Sequence, residues 1–203
     1  MDDEHDREAE RRHDADELAA VLGRRLVDDG LAEQQLSALA SAGALLDQSE
    51  LDHWLFGGWA VDFYVGAITR EHEDIDLAVW LRDAPAIGSV LEALLWRHEP
   101  SEEDDGGTGY GRGRVRLELT FLVEDPDGNV FIPLRSGRAL WSPEPLGEEM
   151  RDLGGTRTRV VKLDLLRRGK SSPRDDPADA AKDRADYEAL TTWNPPASSR
   201  RRR

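Results

Sequence analysis

Two aspartates, Asp74 and Asp76, stand one residue apart in the run Asp74-Ile75-Asp76-Leu77-Ala78-Val79-Trp80-Leu81. On a strand, residues i and i+2 share a face, roughly 6–7 Å apart at Cα from the ~3.3 Å rise per residue. Two carboxylates held this way repel each other unless a cation joins them. A hard divalent ion with oxygen ligands suits the position, and Mg2+ carrying substrate phosphates is the usual case. Upstream, Gly57-Gly58 separates an apolar strand candidate, His53–Phe56, from a short helix over Trp59–Val65. Glycines let a phosphate approach the backbone, and helix N-terminal N–H groups attract anions. A third carboxylate, Glu118, falls on the polar face of Arg114–Val123, whose Val115, Leu117, Leu119, Phe121 and Val123 take the other face. Glu124 and Asp125 compete for this role but lie at a turn.

A glycine loop, a carboxylate pair and a third carboxylate on a neighbouring strand meet the needs of two-metal nucleotidyl transfer. One metal holds a triphosphate, the other activates an acceptor hydroxyl, and both stabilise the in-line displacement. Basic side chains must also neutralise the phosphates. Arg70 adjoins the pair, and Lys170 and Lys182 are further candidates, two of only three lysines in the chain. An Asp-x-Asp alone is commonly a surface strand feature and a Gly-Gly alone a turn; the ordered combination carries the reading. Asp62 needs no chemistry as a salt-bridge or surface residue. His72 orders the loop or touches substrate. Trp54, Trp59 and Trp96 suit core packing, whereas Trp80 shares the Asp74/Asp76 face and is placed to stack on a base or sugar.

The elements that must position these groups follow from periodicity. Leu18, Val21, Leu22 and Leu26 predict a helix from Asp14, and a second runs from about Leu31 to Leu46. Pro85 opens a helix through Leu95. Pro100 to Gly113, rich in Glu, Asp and Gly, reads as a mobile loop. Asp125-Pro126-Asp127-Gly128 then turns Arg114–Val123 into Val130–Ile132, a hairpin. Residues 135–155 read as irregular, Arg157–Val161 as a short strand, and Leu163–Arg168 and Ala178–Leu190 as helices. The expected fold is α+β, a small mixed sheet flanked by helices with a helical C-terminal piece. The expected divisions are a disordered acidic tail at 1–14, a core at 15–135, a helical segment at 136–193 and a basic tail at 194–203.

The 203 residues suit one domain, and 27 Lys+Arg against 42 Asp+Glu leave a formal charge of −15. That argues against nucleic acid, whose binding neutralises phosphates with Lys and Arg, and fits a small neutral or cationic partner. Without cysteine there is no disulfide, thiolate catalysis or Cys-ligated zinc. No apolar run reaches the ~18–20 residues of a membrane span, and the acidic start lacks a signal-peptide pattern, so a cytoplasmic location is expected. The sequence is silent on oligomeric state.

The pattern Gly57-Gly58-Trp59-Ala60-Val61-Asp62, Gly66, Thr69-Arg70, His72 and Asp74-Ile75-Asp76-Leu77 resembles the aminoglycoside and lincosamide nucleotidyltransferases, above all the aminoglycoside 2''-adenylyltransferase-like family of the DNA polymerase β-type superfamily. The likeness is dense over about 25 residues and weaker over 110–190. Lys182-Asp183-x-x-Asp186 looks like the Lys-Asp-x-x-Asp helix of many relatives. The resemblance implies a mixed sheet flanked by helices, Mg2+ dependence and transfer of a nucleoside monophosphate, AMP from ATP or that of another NTP, to a hydroxyl of a small, aminoglycoside-like acceptor. Asp74 and Asp76 would ligand the metals, Glu118 would complete the site and could act as general base, and Gly57 and Gly58 would hold the triphosphate. Family members often carry Asp where this chain has Glu118, which sets the oxygens one methylene further out. The spacing from Gly58 to Asp74 is also longer than in the shortest superfamily versions. Two alternatives stand beside this reading: a toxin-type nucleotidyltransferase modifying tRNA or protein, and a non-catalytic nucleotide-binding relative.

Overall fold

The computed structural model describes residues 30–100, 105–144 and 146–193. The expected helix at Asp14–Leu26, the acidic tail and the basic tail lie outside these residues. The described chain begins in a helix over 30–48, α1. There follow β1 (His53–Phe56), α2 (Gly57–Val65), β2 (Ile75–Trp80), a 3-10 turn (Leu81–Asp83), α3 (Ala84–Ala93), β3 (Arg97–His98), β4 (Gly107–Arg112), β5 (Val115–Glu124), β6 (Val130–Leu134), β7 (Gly137–Ser142), β8 (Met150–Leu153), β9 (Thr156–Arg159), α4 (Leu163–Ser171) and α5 (Pro177–Thr192).

Among the described residues, seven strands form one mixed sheet in the order β1-β2-β5-β4-β3, extended by β6 and β7 from the far end of β5. The β2–β5 pair is parallel and its neighbours are antiparallel. The expected α+β class is thus borne out. A separate β8–β9 hairpin is tied to the sheet where the Val161 amide donates to the Leu55 carbonyl (3.0 Å). No helix of the described residues is long and apolar enough to cross a membrane.

β2 lies in the middle of the sheet. Leu77, Ala78, Val79 and Trp80 are all buried, so the alternation of a one-sided strand gives way beyond Asp76 to an apolar run covered on both faces. Trp80 is therefore not free to stack on a ligand. It packs edge-on against Trp54 (centroids 5.5 Å apart), and its indole N–H donates to Asp52 (3.3 Å). Trp59 and Trp96 are core residues, as expected. Helix α2 is buried nearly all round, from Gly58 to Tyr64, and fills the space between the sheet and α4, α5 and β8.

Two segments differ from expectation. Residues 107–112, read as part of a mobile loop, form β4. Its glycines mark close backbone approach rather than a turn: a Cβ on Gly107 would overlap the Leu119 carbonyl, and one on Gly109 would stand 3.2 Å from both Glu118 carboxylate oxygens. Residues 135–155, read as irregular, contain β7 and β8. β7 is an edge strand with most side chains exposed, so it carries no alternating apolar signal. The β5–β6 hairpin, α4 and α5 form where the sequence predicts them.

Candidate active site

β1 ends at Phe56 and the chain enters α2 with no intervening loop, so Gly57 and Gly58 are the first two helical residues. Gly57 has φ +68°, and a Cβ there would overlap the Asp76 carboxylate. A Cβ on Gly58 would collide with the Arg70 guanidinium and stand 2.6 Å from His72 Nδ1. Both glycines are thus fixed by what they face. No side chain caps α2 and its first turn holds no acid, which leaves the N-terminal N–H groups open to an anion. Gly57→Ala is expected to cost at least about 1–2 kcal/mol, the penalty for a side chain in the left-handed region, and urea unfolding of the variant measures it.

Asp76 opposes Phe56 on one side and Glu118 on the other, in the parallel β2–β5 register. Asp74 lies just before β2. Neither aspartate is hydrogen-bonded or ion-paired by side chains among the described residues. Burial first, and the neighbouring Asp74 charge second, push Asp76 up to about 7. Burial and then Glu73 raise Asp74. These are two poorly compensated carboxylates facing one cavity. Glu118, partly exposed, is held by Arg116 (2.9 Å). The register thus brings Glu118 beside Asp76, while no three His, Asp or Glu side chains of the described residues are already drawn together as a metal cage. The donor set nonetheless fits a hard divalent cation: all its donors are carboxylate oxygens, and at Asp74 and Asp76 the nearby cations do not offset the cost of burial.

A cavity of about 260 Å³ opens over this face, lined by Gly58, His72, Asp74 and Asp76, by the basic Arg70, Lys170, Arg174 and Lys182, and by the acidic Glu73, Asp179 and Asp183. All three basic residues expected from the sequence line it, and Arg174 joins them without any sequence signal. Each is also structurally engaged. Arg70 donates through Nε and a terminal nitrogen to the Asp186 carboxylate (2.9 and 3.0 Å). Lys170, nearly buried, contacts Asp183 and Asp186 at 2.8 Å each. Arg174 reaches Asp183 (2.7 Å), and Lys182 reaches Glu73 (2.8 Å). The Lys182-Asp183-x-x-Asp186 segment of α5 therefore stations cations over the cavity. Desolvation would raise Asp183 and Asp186, but Lys170 with Arg174, and Arg70 with Lys170, outweigh it and hold both carboxyls below the ordinary range. The stability they add is present at neutral pH, then lost as pH falls through ~3.9, the unfolded value, toward the depressed folded values. Asp186→Asn is expected to flatten this acid limb in thermal melts taken across pH.

Asp62 and His72 take the salt-bridge and loop-ordering roles among those the sequence allows. Asp62, no surface residue, is fully buried on α2 and accepts from the Thr69 amide (3.0 Å) and hydroxyl. His72 Nε2 lies 2.6 Å from its other oxygen, and Gln35 of α1 donates to the His72 carbonyl (3.0 Å). His72 also stacks against Trp59 (centroids 4.5 Å apart). This brace fixes Thr69 and His72 against α2, two residues before Asp74. The only sequence signal for it was the spacing of Asp62, Thr69 and His72.

A glycine-initiated helix, a following strand with paired aspartates and a parallel neighbour bearing the third acid define a nucleotidyltransferase fold. The lincosamide adenylyltransferase LnuA, solved with lincomycin, superposes with a TM-score of 0.58 at 17% identity over 74% of this chain and 92% of that one. ANT(2'')-Ia in complex with adenylyl-2''-tobramycin gives 0.57 at 21% over 78% and 88%. The family resemblance is borne out in sequence: residues 38–128 match the model of the aminoglycoside-2''-adenylyltransferase family. Two curated 2''-aminoglycoside nucleotidyltransferases, from Escherichia coli and Klebsiella pneumoniae, are each 42% identical over 93 residues, 46% of this chain. That aligned stretch spans 44% of each relative, less than half its length.

Proposed function

We propose that this chain is a Mg2+-dependent nucleotidyltransferase that moves a nucleoside monophosphate, AMP from ATP, onto a hydroxyl of a small aminoglycoside-like acceptor. The observation that carries the reading is the Asp74/Asp76 pair, with Asp76 directly against Gly57 at the start of α2, on a cavity that Arg70, Lys170, Arg174 and Lys182 also line. Asp74, Asp76 and Glu118 would hold Mg2+, which when bound would neutralise phosphate charge and lower the acceptor hydroxyl's pKa.

The chain's own groups divide the remaining work. The α2 N-terminal amides at Gly57 and Gly58 receive the triphosphate. Lys170 and Lys182 add positive field, as does Arg70, though its Nε and one terminal nitrogen are already committed to Asp186. The acceptor oxygen forms a bond to the α-phosphorus as the bond to the β-phosphate's bridging oxygen breaks, and pyrophosphate leaves. The acceptor proton passes to a base, and Glu118 is the carboxylate adjoining Asp76 for that task. We further assign a core to 15–135 and a C-terminal segment to 136–193, in a cytoplasmic protein.

The acidic surface supports a cationic small acceptor over tRNA, and retention of all three carboxylates supports catalysis over simple nucleotide binding. The test is mass spectrometry of reactions holding each NTP, Mg2+ and a panel of aminoglycosides, lincosamides and tRNA. A gain of one nucleoside monophosphate on an aminoglycoside is expected. A gain on tRNA alone, or none on any acceptor, contradicts the proposal.

A further inference from the structure

Beside the cation-lined cavity lies a second one of about 230 Å³ with a different chemistry. Its walls are apolar and aromatic. Phe56, at the end of β1, and Trp141, on β7, meet edge to face with ring centroids 5.5 Å apart. Val161, Leu165 and Leu166 close it from the β9–α4 side, and all three are buried. Its mouth is formed by Gly57, Asp76, Lys170 and Arg174, and the last three of these also border the first cavity. The two spaces therefore adjoin across the proposed reacting centre. Trp141, Val161, Leu165 and Leu166 all lie beyond residue 128, outside the stretch that matches the family model.

We propose that this apolar slot is the nucleobase subsite of the donor, with Trp141 as its principal stacking surface. The inference rests on the donor reading above and adds to it the residues that hold the base. Three observations commit the slot to this occupant. A base presents flat, weakly polar faces, which aromatic and aliphatic walls take up well. Lys170 and Arg174 stand at the shared mouth, which suits the phosphates of the same ligand and repels a polycationic acceptor. The slot meets the first cavity at Asp76, Lys170 and Arg174, with Gly58 bordering one space and Gly57 the other, so a ligand with its phosphates at the α2 N-terminus carries its base toward Trp141.

Gly169 of α4 borders the slot, and a Cβ built there meets nothing within 4 Å. A β-carbon at 169 would thus meet no protein atom, a larger side chain there would narrow the slot, and a non-glycine residue favours the helix. Binding to the full-length chain is measured by calorimetry in Mg2+, with ATP and inorganic tripolyphosphate as the two probes. Trp141→Ala and Gly169→Leu are expected to weaken ATP about tenfold or more and to leave tripolyphosphate unchanged. Trp141→Phe is expected to stay within about threefold of the parent for ATP, since it keeps a stacking face. Gly169→Leu is expected to melt no lower than the parent, which separates blockage from misfolding. ATP affinity unchanged in both Trp141→Ala and Gly169→Leu would overturn the subsite while leaving the donor reading intact. Equal weakening of ATP and tripolyphosphate by Trp141→Ala would also overturn it. If the parent chain binds neither probe, the donor reading falls and the subsite with it.

Discussion

Asp76→Asn is expected to lower nucleotidyl transfer by at least about a thousandfold while raising the melting temperature of the metal-free protein. The activity loss follows from the cation the carboxylate would hold. Metal stabilisation of transition-state charge amounts to several kcal/mol, and each 1.36 kcal/mol is tenfold in rate. The stability gain follows from the same site. Asp76 is buried beside Asp74, with Glu118 next to it across the sheet, and its negative form is disfavoured by desolvation and by those neighbours. Asparagine keeps the shape and removes the charge. For a chain of this size, each kcal/mol of repulsion relieved raises Tm by about 2–4 °C. Opposed changes in activity and stability mark a residue kept for chemistry rather than for folding. A fall in both would mean that Asp76 is a structural carboxylate with a partner.

Asp186→Ala is expected to have the largest effect on stability. The carboxylate is almost fully buried and accepts from Arg70 through two nitrogens and from Lys170. Its removal leaves two cations, one of them nearly buried, without their shared counter-charge. Breaking a buried ion pair from one side costs about 3–5 kcal/mol, or roughly 6–20 °C in Tm. Asp186→Ala should also weaken nucleotide binding, because Arg70 and Lys170 lose their anchor over the cavity. Restoration of stability by a second change at Arg70 would identify that guanidinium as the stranded charge. Asp164 makes a useful comparison, since it is exposed, on α4 and 4.0 Å from Arg167. Asp164→Ala should change stability by no more than about 1 kcal/mol.

The parts of the site that were legible in the sequence are those made by local geometry. Gly57-Gly58 and Asp74-x-Asp76 sit within single elements, so their spacing already fixes a helix start and a strand face. Glu118 was legible through the strict alternation of β5, and the register supplied what alternation could not, its place opposite Asp76. The cation cluster was only half legible. Lys170 and Lys182 stood out for rarity, but Arg174 lies in a Ser-Ser-Pro-Arg connection with no periodic signal, and only folding brings it to Asp183. Helix α5 hid its packing face because it buries Asp183 and Asp186 with Leu190 rather than a continuous apolar stripe. β4 was obscured because its glycines, which suggest a loop, are the residues that admit the Leu119 backbone and the Glu118 carboxylate. Trp80 misled for a related reason: strand alternation gives its face but not what covers that face.

Transfer of a nucleoside monophosphate at the Asp74/Asp76 site is tested by following the label from ATP. Parent chain and Asp76→Asn are incubated with Mg2+, an aminoglycoside acceptor and ATP carrying radiolabel at either the α- or the γ-phosphate. The α-label is expected to pass to the acceptor with one pyrophosphate released per adduct, the γ-label to leave in pyrophosphate, and Asp76→Asn to form no adduct. Transfer of γ-label to the acceptor, or undiminished α-label transfer by Asp76→Asn, would contradict nucleotidyl transfer at this site.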